Sequence, residues 1–254
     1  MKKSLVVMGT VLLILGITMG SLNFLAPFSG GGWVKVETTQ EEFSSHKLSS
    51  IRISNDIGKI IIDGHDGDMV KVRVEKHAPE SRLDRIKVKM EEKGSSLFIS
   101  TSFPAGASRM GVDFYIRVPN GNLGIYAYCN LGWISLSDIE ISEAELKTAL
   151  GSITVRDVRA DDIRGFSDLG SIKVFLQELP DMLKLETDLG SVEVRIPKDS
   201  SVKIVAKTDL GKVRCDLDLE NVEQKRSYIN GSLGDGENRI DIRTDLGSIR
   251  IGAV

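Results

Sequence analysis

From about residue 50 onward, apolar and polar residues alternate in short runs, and each run breaks at a Leu-Gly or Ile-Gly pair. Thr187-Asp-Leu-Gly-Ser191 is the clearest example. Asp168-Leu-Gly-Ser171, Thr208-Asp-Leu-Gly-Lys212 and Thr244-Asp-Leu-Gly-Ser248 repeat it, and Thr148-Ala-Leu-Gly-Ser152, Cys129-Asn-Leu-Gly-Trp133 and Asn55-Asp-Ile-Gly-Lys59 are looser copies. Gly132, Gly151, Gly170, Gly190 and Gly211 are spaced by 19, 19, 20 and 21 residues, with outlying copies at Gly58 and Gly247. Two residues after the glycine stand Ile60, Ile134, Ile153, Ile172, Val192, Val213 and Ile249, and the position four after is again aliphatic or cysteine. This period of two marks a strand. Before the glycine the apolar parity is opposite: Ile51, Ile125, Ala144, Ile163, Leu183, Ile204 and Ile240 stand seven before it, and Leu or Ile stands one before it. Both strands can face one core only if the chain bends at the glycine, where no Cβ obstructs the turn.

Strand, bend, strand and return in about 20 residues form one coil, and regular repetition at that length means stacked supersecondary units. The pattern predicts an all-β parallel β-solenoid whose coils stack in chain order about 4.8 Å apart. Two stretches break the period. Met69–Val74, Ile86–Met90, Leu97–Ser100 and Val112–Val118 read as longer strands with a hairpin turn at Glu92–Ser95, an irregular β segment near the N-terminal end that widens or caps the stack. Asn230–Asn238 reads as a loop, and Gln40–His46 and Glu220–Arg226 read as short helical pieces.

The N-terminus has a different pattern. After Met1-Lys2-Lys3 no charged residue occurs until Lys35, and Leu5–Leu25 is densely apolar, long enough to span a bilayer as one transmembrane helix. A cleaved signal peptide is the competing reading. The expected domains are an anchor or signal at residues 1–28, a Gly-rich linker at 29–34 and the solenoid at 35–254. Lys2 and Lys3 would stay in the cytoplasm, which places the solenoid on the extracytoplasmic side of the cell membrane.

A net charge of -3 gives no general attraction to nucleic acid. Asp56, Asp168, Asp188, Asp209 and Asp245 form one outward column two before the glycine, read as Asx-type turn residues of the Asp168/Gly170, Asp188/Gly190, Asp209/Gly211 and Asp245/Gly247 bends. A calcium ladder would need more oxygens than the neighbouring residues supply, and a glycosidase pair would be singular. The Thr/Ser column three before the glycine is expected to face inward and bond the backbone. His46, His65 and His77 share no metal-ligand spacing and read as surface or loop residues. Cys129 and Cys215, four coils and about 19 Å apart in chain order, read as small buried hydrophobes. No metal or cofactor is expected.

The Asn55–Ile60 start, the Val112-Asp-Phe-Tyr-Ile-Arg-Val-Pro119 strand, the Gly234-Asp-Gly-Glu237 loop and the tandem LG-S-I/V-x-V units resemble the putative-adhesin family of domain-of-unknown-function proteins over residues 33–254. The resemblance implies a β-solenoid on prokaryotic envelope proteins, some associated with envelope stress sensing, and carries over no catalytic residue. This sequence has Asp where that family's turns more often have Asn. The expected function is a membrane-anchored, non-enzymatic adhesin or envelope scaffold, able to oligomerise, whose partner is an envelope polysaccharide or another envelope protein. Tyr126, Tyr128, Trp133 and Phe166 are the candidate ligand patch, with cover by residues 69–118 as the competing reading. Two alternatives are a polysaccharide-processing β-helix enzyme using Arg156, Arg195, Lys173 and Arg214, and self-assembly through an uncapped last coil at Gly247–Val254.

Overall fold

The alternation becomes strand wherever it was read, and a computed structural model describes residues 34–106 and 108–254. The first seven strands are β1 (Val34–Ser44), β2 (Ser50–His65), β3 (Met69–Pro79), β4 (Lys87–Lys93), β5 (Ser96–Ser102), β6 (Gly111–Pro119) and β7 (Gly124–Glu140). Paired half-coils follow: β8 (Glu143–Leu150) with β9 (Ile153–Arg159), β10 (Asp162–Leu169) with β11 (Ile172–Phe175), β12 (Met182–Leu189) with β13 (Val192–Ile196), and β14 (Val202–Leu210) with β15 (Val213–Cys215). β16 (Glu220–Lys225) and β17 (Tyr228–Leu233) form a hairpin, and β18 (Asn238–Leu246) with β19 (Ile249–Ala253) closes the chain. The apolar segment Leu5–Leu25 lies outside the described residues. No helix among the described residues is long and apolar enough to cross a membrane.

The half-coils before the glycines form one parallel ladder, β2–β7–β8–β10–β12–β18–β14, and those after the glycines form a second, β2–β7–β9–β11–β13–β19–β15. The stack therefore departs from chain order. The last coil slides between the Met182–Ile196 coil and the Val202–Cys215 coil, pairing in parallel with β12 and β13 on one side and β14 and β15 on the other. The coil of Gly211, not that of Gly247, is terminal, and β17 and β16 cover the first-ladder edge with antiparallel pairs. The end is thus capped rather than open. β16 itself is exposed along its whole length and charged, which discourages further pairing. At the opposite end the irregular segment builds antiparallel extensions: β4 on β5, and β1 on β3 on β6. The Glu92–Ser95 hairpin turn and the widened N-terminal end are as expected. The two helical pieces are not: Gln40–Ser44 completes β1, leaving only a 3-10 turn at Ser45–Lys47, and Glu220–Lys225 is β16. The expected loop at Asn230–Asn238 begins as the second half of β17, because Asn230 to Leu233 pair with β14.

The core fills the channel between the ladders with the predicted aliphatic columns. The residues seven before and two after each glycine are buried throughout. In the Phe166 coil Gly165 takes an inward position, where an added Cβ would lie 3.1 Å from Leu185 Cδ2. The glycines themselves form the tightest contact. A Cβ on Gly132 would lie 1.7 Å from the carbonyl oxygen of Gly58, on Gly151 1.4 Å from that of Gly132, on Gly170 1.7 Å from that of Gly151, and on Gly190 1.8 Å from that of Gly170. The column continues through Gly247 on Gly190 and Gly211 on Gly247, both at 1.8 Å. It follows the spatial order of coils, so the insertion of the last coil is written in the glycine contacts.

Beside this column runs the expected hydroxyl ladder. Thr187, Thr244 and Thr208 donate at 3.0, 3.0 and 2.9 Å to the carbonyls of Gly170, Gly190 and Gly247, the glycine one coil below, and Ser167 does the same to Gly151 at 3.0 Å. Thr148 bonds to Gly151 within its own coil. In the first coils Asn55 donates to Val112 O and Cys129 to Gly58 O. Each of these side chains thereby satisfies a backbone carbonyl at the bend, while glycine N–H groups continue the ladder by donating to the leucine carbonyls of the neighbouring coil. Two residues after this column are turned outward together. The Asp and the Leu before the glycine are both solvent-facing, and the leucines expected in the core are 43–68% exposed. Alternation stops because the bend starts at the Asp, one residue pair earlier than the pattern suggests.

Replacing Gly151 by Ala combines backbone strain (φ +158°) with a backbone clash, and it should destabilise by about 3–5 kcal/mol in chemical denaturation. Gly94→Ala, at φ +61° with open space around it, isolates the strain and should cost only about 1–2 kcal/mol. Equal losses at both positions would contradict a role for the close approach.

Candidate functional site

On the outer face of the first ladder, residues six and four before each glycine point to solvent, so register alone decides which side chains meet. Phe98, Arg52, Tyr126 and Glu145 lie side by side in one row, and Ser100, Ser54, Tyr128 and Lys147 in the next. The hairpin of β4 and β5 stands at the edge of this face and brings Lys89, Glu91 and Lys93 alongside. The result is an open cleft of about 370 Å³ floored by Phe98, Tyr126 and Tyr128.

The rings are held by cations. Arg52 stacks over Tyr126 with its guanidinium carbon 4.0 Å from the ring centre, and Lys93 Nζ is 5.7 Å from that of Phe98. The Tyr126 hydroxyl donates to Glu143, which raises its pKa. Lys89 and Lys93 both pair with Glu91, holding its carboxyl below the usual range, and Lys147 pairs with Glu145. Arg52, Lys89, Lys93 and Lys147 against Glu91 and Glu145 leave the cleft with an excess of two positive charges in a chain of net charge -3.

The four aromatic residues singled out from the sequence do not form one patch. Tyr126 and Tyr128 share the cleft, and Tyr128 is 41% exposed, uncovered by the 69–118 strands. Phe166 lies two coils along, between Lys147 and Lys184 at 5.2 and 5.7 Å. Trp133 sits past the bend on the second ladder beside Lys59, also 39% exposed. Phe98 was missed because it belongs to the irregular segment, where no repeat assigns a column; its alternation within Leu97–Ser100 was the available signal.

Two members of the Asp column, Asp209 and Asp245, are held by side chains. Asp209 pairs with Lys207 and Arg243, and Asp245 pairs with Arg243, so these carboxylates answer to side chains rather than backbone N–H groups. At the proposed enzyme face, Arg195 pairs with Glu193 at 3.0 Å and Arg156 lies over the Phe175 ring at 5.1 Å. Cys129 is buried and its thiol is pushed up to about 12 by burial. Cys215 is only partly buried, on the terminal coil. The true coil order puts the two cysteines five steps apart, about 24 Å, rather than four. Both are free.

His77 departs most from its expected surface role. The β3–β6 register sets Glu75 opposite Asp113, and His77 follows two residues along the same face. His77 Nε2 lies 3.2 Å from Asp113 Oδ2, and Lys59 Nζ lies 3.4 Å from the same oxygen. Lys59 also donates its backbone N–H to Asp113 Oδ1 at 3.0 Å. Ligand atoms of Glu75, His77 and Asp113 fall within 4.8 Å of one another, a cluster that could hold a metal ion, but Lys59 already supplies positive charge there. Linear spacing could not reveal the group because its members come from two antiparallel strands.

The Asp113 carboxylate raises the His77 pKa above 6.5, against the opposing effect of burial. Burial pushes Asp113 up, but His77 and Lys59 outweigh it and leave its pKa below 3.8. His77 thus contributes stability that is complete below about pH 6.5 and is lost as pH rises through its folded value; Asp113 contributes above about pH 3.8 and loses it as pH falls through its own. An imidazole NMR titration should place His77 above 6.5, and His77→Gln should flatten the stability loss between pH 6 and 9. A His77 pKa at or below 6.5 would contradict the pair.

Comparison with known proteins agrees with this architecture. No curated protein matches the chain. A putative cell adhesion protein from Clostridium sporogenes is 18% identical and superposes with a TM-score of 0.54 over 87% of this chain and 100% of its own. A putative adhesin from Bacteroides fragilis is 11% identical, with a TM-score of 0.36 over 85% of this chain and 97% of its own. At 18% identity the likeness to the Clostridium sporogenes protein extends to the fold alone. The family model for Toastrack DUF4097 matches residues 121–252, the run that contains six of the seven glycine bends, and the chain belongs to that family.

Proposed function

We propose that the chain is a membrane-anchored, extracytoplasmic, adhesin-like scaffold without enzymatic activity, and that its ligand face is the aromatic cleft of the first ladder. The observation that carries this reading is the cleft itself. The solenoid needs only small aliphatic columns and glycines to stack, yet one outer face presents three aromatic rings among four cations and two carboxylates. Aromatic faces stack on the apolar faces of sugar rings, and each ring keeps a rigid surface at little entropy cost. The charge excess selects for acid groups, so the ligand class is an acidic envelope polysaccharide. The apolar Leu5–Leu25 stretch and the Lys2-Lys3 pair support the anchored, outward topology.

In binding assays with the full-length chain, acidic polysaccharides should be retained over neutral ones, with affinity falling as salt rises. Tyr128→Ala should weaken binding about tenfold or more, equivalent to about 1.4 kcal/mol, while leaving the melting temperature nearly unchanged because the ring is exposed. Equal binding of neutral chains, or unaltered binding by Tyr128→Ala, would overturn the ligand assignment.

Topology is checked separately. Protease added to intact cells stripped of any outer barrier should remove the solenoid. Protection in intact cells followed by digestion after lysis would reverse the orientation.

A further inference from the structure

The row of leucines turned outward at the bends forms a continuous ridge. Leu131, Leu150, Leu169, Leu189, Leu246 and Leu210 are direct neighbours across successive strands. They are 47, 45, 44, 43, 44 and 68% exposed, and they make up half of the exposed large apolar side chains among the described residues. Five steps of about 4.8 Å make the ridge about 24 Å long. One flank carries Asp168, Asp188, Asp245 and Asp209, and the other, just past the glycines, carries Ser171, Ser191, Ser248 and Lys212. Asp168 and Asp188 stand on adjacent strands and enter no ion pair among the described residues.

We infer that this ridge is a side-by-side docking surface for a second copy of the chain, related by a twofold axis parallel to the stack. The axial repeat is the first reason. An α-helix laid along the ridge advances 5.4 Å per turn, and a strand presents a side chain on one face every ~6.6 Å, so both drift out of step with the leucines. A second copy carries the same ~4.8 Å repeat by construction. Charge complementarity is the second. A twofold axis along the stack keeps every coil level with itself and exchanges the flanks. Asp168 and Asp188 then face the hydroxyls of Ser171 and Ser191 of the second copy, and Asp209 and Asp245, already paired with Lys207 and Arg243 of their own chain, face Lys212 and Ser248. The opposite, antiparallel arrangement sets one acidic row against the other. At the Gly211 end the hairpin of β17 and β16 pairs onto β14, and at the other end β4 and β1 form the outermost antiparallel edges beyond β5 and β6, so the sides are the faces left for association. The ridge is narrow compared with the roughly 800 Å² that each partner buries in a standard interface, which makes the dimer a weak one. This inference does not rest on the cleft or its ligand.

Site-specific crosslinking of the full-length chain tests it. In a Cys215→Ala background, with Cys129 buried, Leu131→Cys and Leu210→Cys lie at opposite ends of the ridge. Each should form a disulfide-linked homodimer under mild oxidation, and Lys173→Cys, on the outer face of the second ladder, should not. Adding Leu189→Asp should remove both crosslinks while the melting temperature holds. Crosslinking only in a mixture of the Leu131→Cys and Leu210→Cys chains would show the antiparallel arrangement and overturn the proposal. Absence of both homodimers, equal crosslinking at Lys173→Cys, or persistence of the crosslinks with Leu189→Asp would overturn it as well.

Discussion

The fold depends on one close approach repeated along the stack, the seating of each glycine Cα on the carbonyl of the glycine one coil below. No side chain fits there, since a Cβ would come within 1.4–1.8 Å of that oxygen from Gly132 through Gly211. The contact fixes the relative height and the lateral position of successive coils at once. With the bends locked in register, the inward residues of every coil meet their equivalents: isoleucine on isoleucine at the second position after the glycine, and threonine on threonine three before it. The hydroxyl column then bonds the same glycine carbonyls that the close approach exposes. Packing and polar satisfaction at the bend thus have a common geometric origin.

Much of this was legible because it is periodic. The strand parity, the bend at the glycine, the inward Thr column and the aliphatic columns all follow from spacing alone. What sequence order could not reveal is spatial order. Every coil presents the same glycine and aliphatic columns beside a column of small hydrogen-bonding side chains, so any coil can stack on any other, and nothing local in Asn238–Ala253 says that it enters before Val202–Cys215 rather than after it. The hairpin Glu220–Leu233 decides the matter by pairing antiparallel with β14 and occupying the edge that the last coil would otherwise take. The leucine before the glycine was misplaced for a related reason: a parity rule extrapolates through a bend, whereas the chain has begun to turn at the preceding Asp.

The candidate site is legible to a lesser degree. Tyr126 and Tyr128 fall in repeat columns and are correctly outward, but their neighbours Phe98, Lys89 and Lys93 come from the irregular segment, where register is set by long-range pairing. The same holds for the ion pair of His77 and Asp113. Regular coils supply a rigid plane, and the non-repeating strands at one end supply its chemistry. That division suits an interaction module, since the end strands and outer rows are free to vary without disturbing the glycine column.

Because the glycine column carries the out-of-sequence insertion of the last coil, its central consequence is a distance that can be measured. Cysteine pairs can be placed at Lys184 and Asp241, at Val205 and Asp241, and at Lys184 and Val205, all in the outward row six before the glycines. Directly paired strands lie about 4.8 Å apart and next-but-one strands about 9.6 Å, while a disulfide needs Cα atoms within about 7 Å. Rapid disulfide formation in the first two pairs and none in the third is the predicted result. A disulfide between positions 184 and 205, with none between 184 and 241, would mean that the coils stack in chain order and would contradict the account.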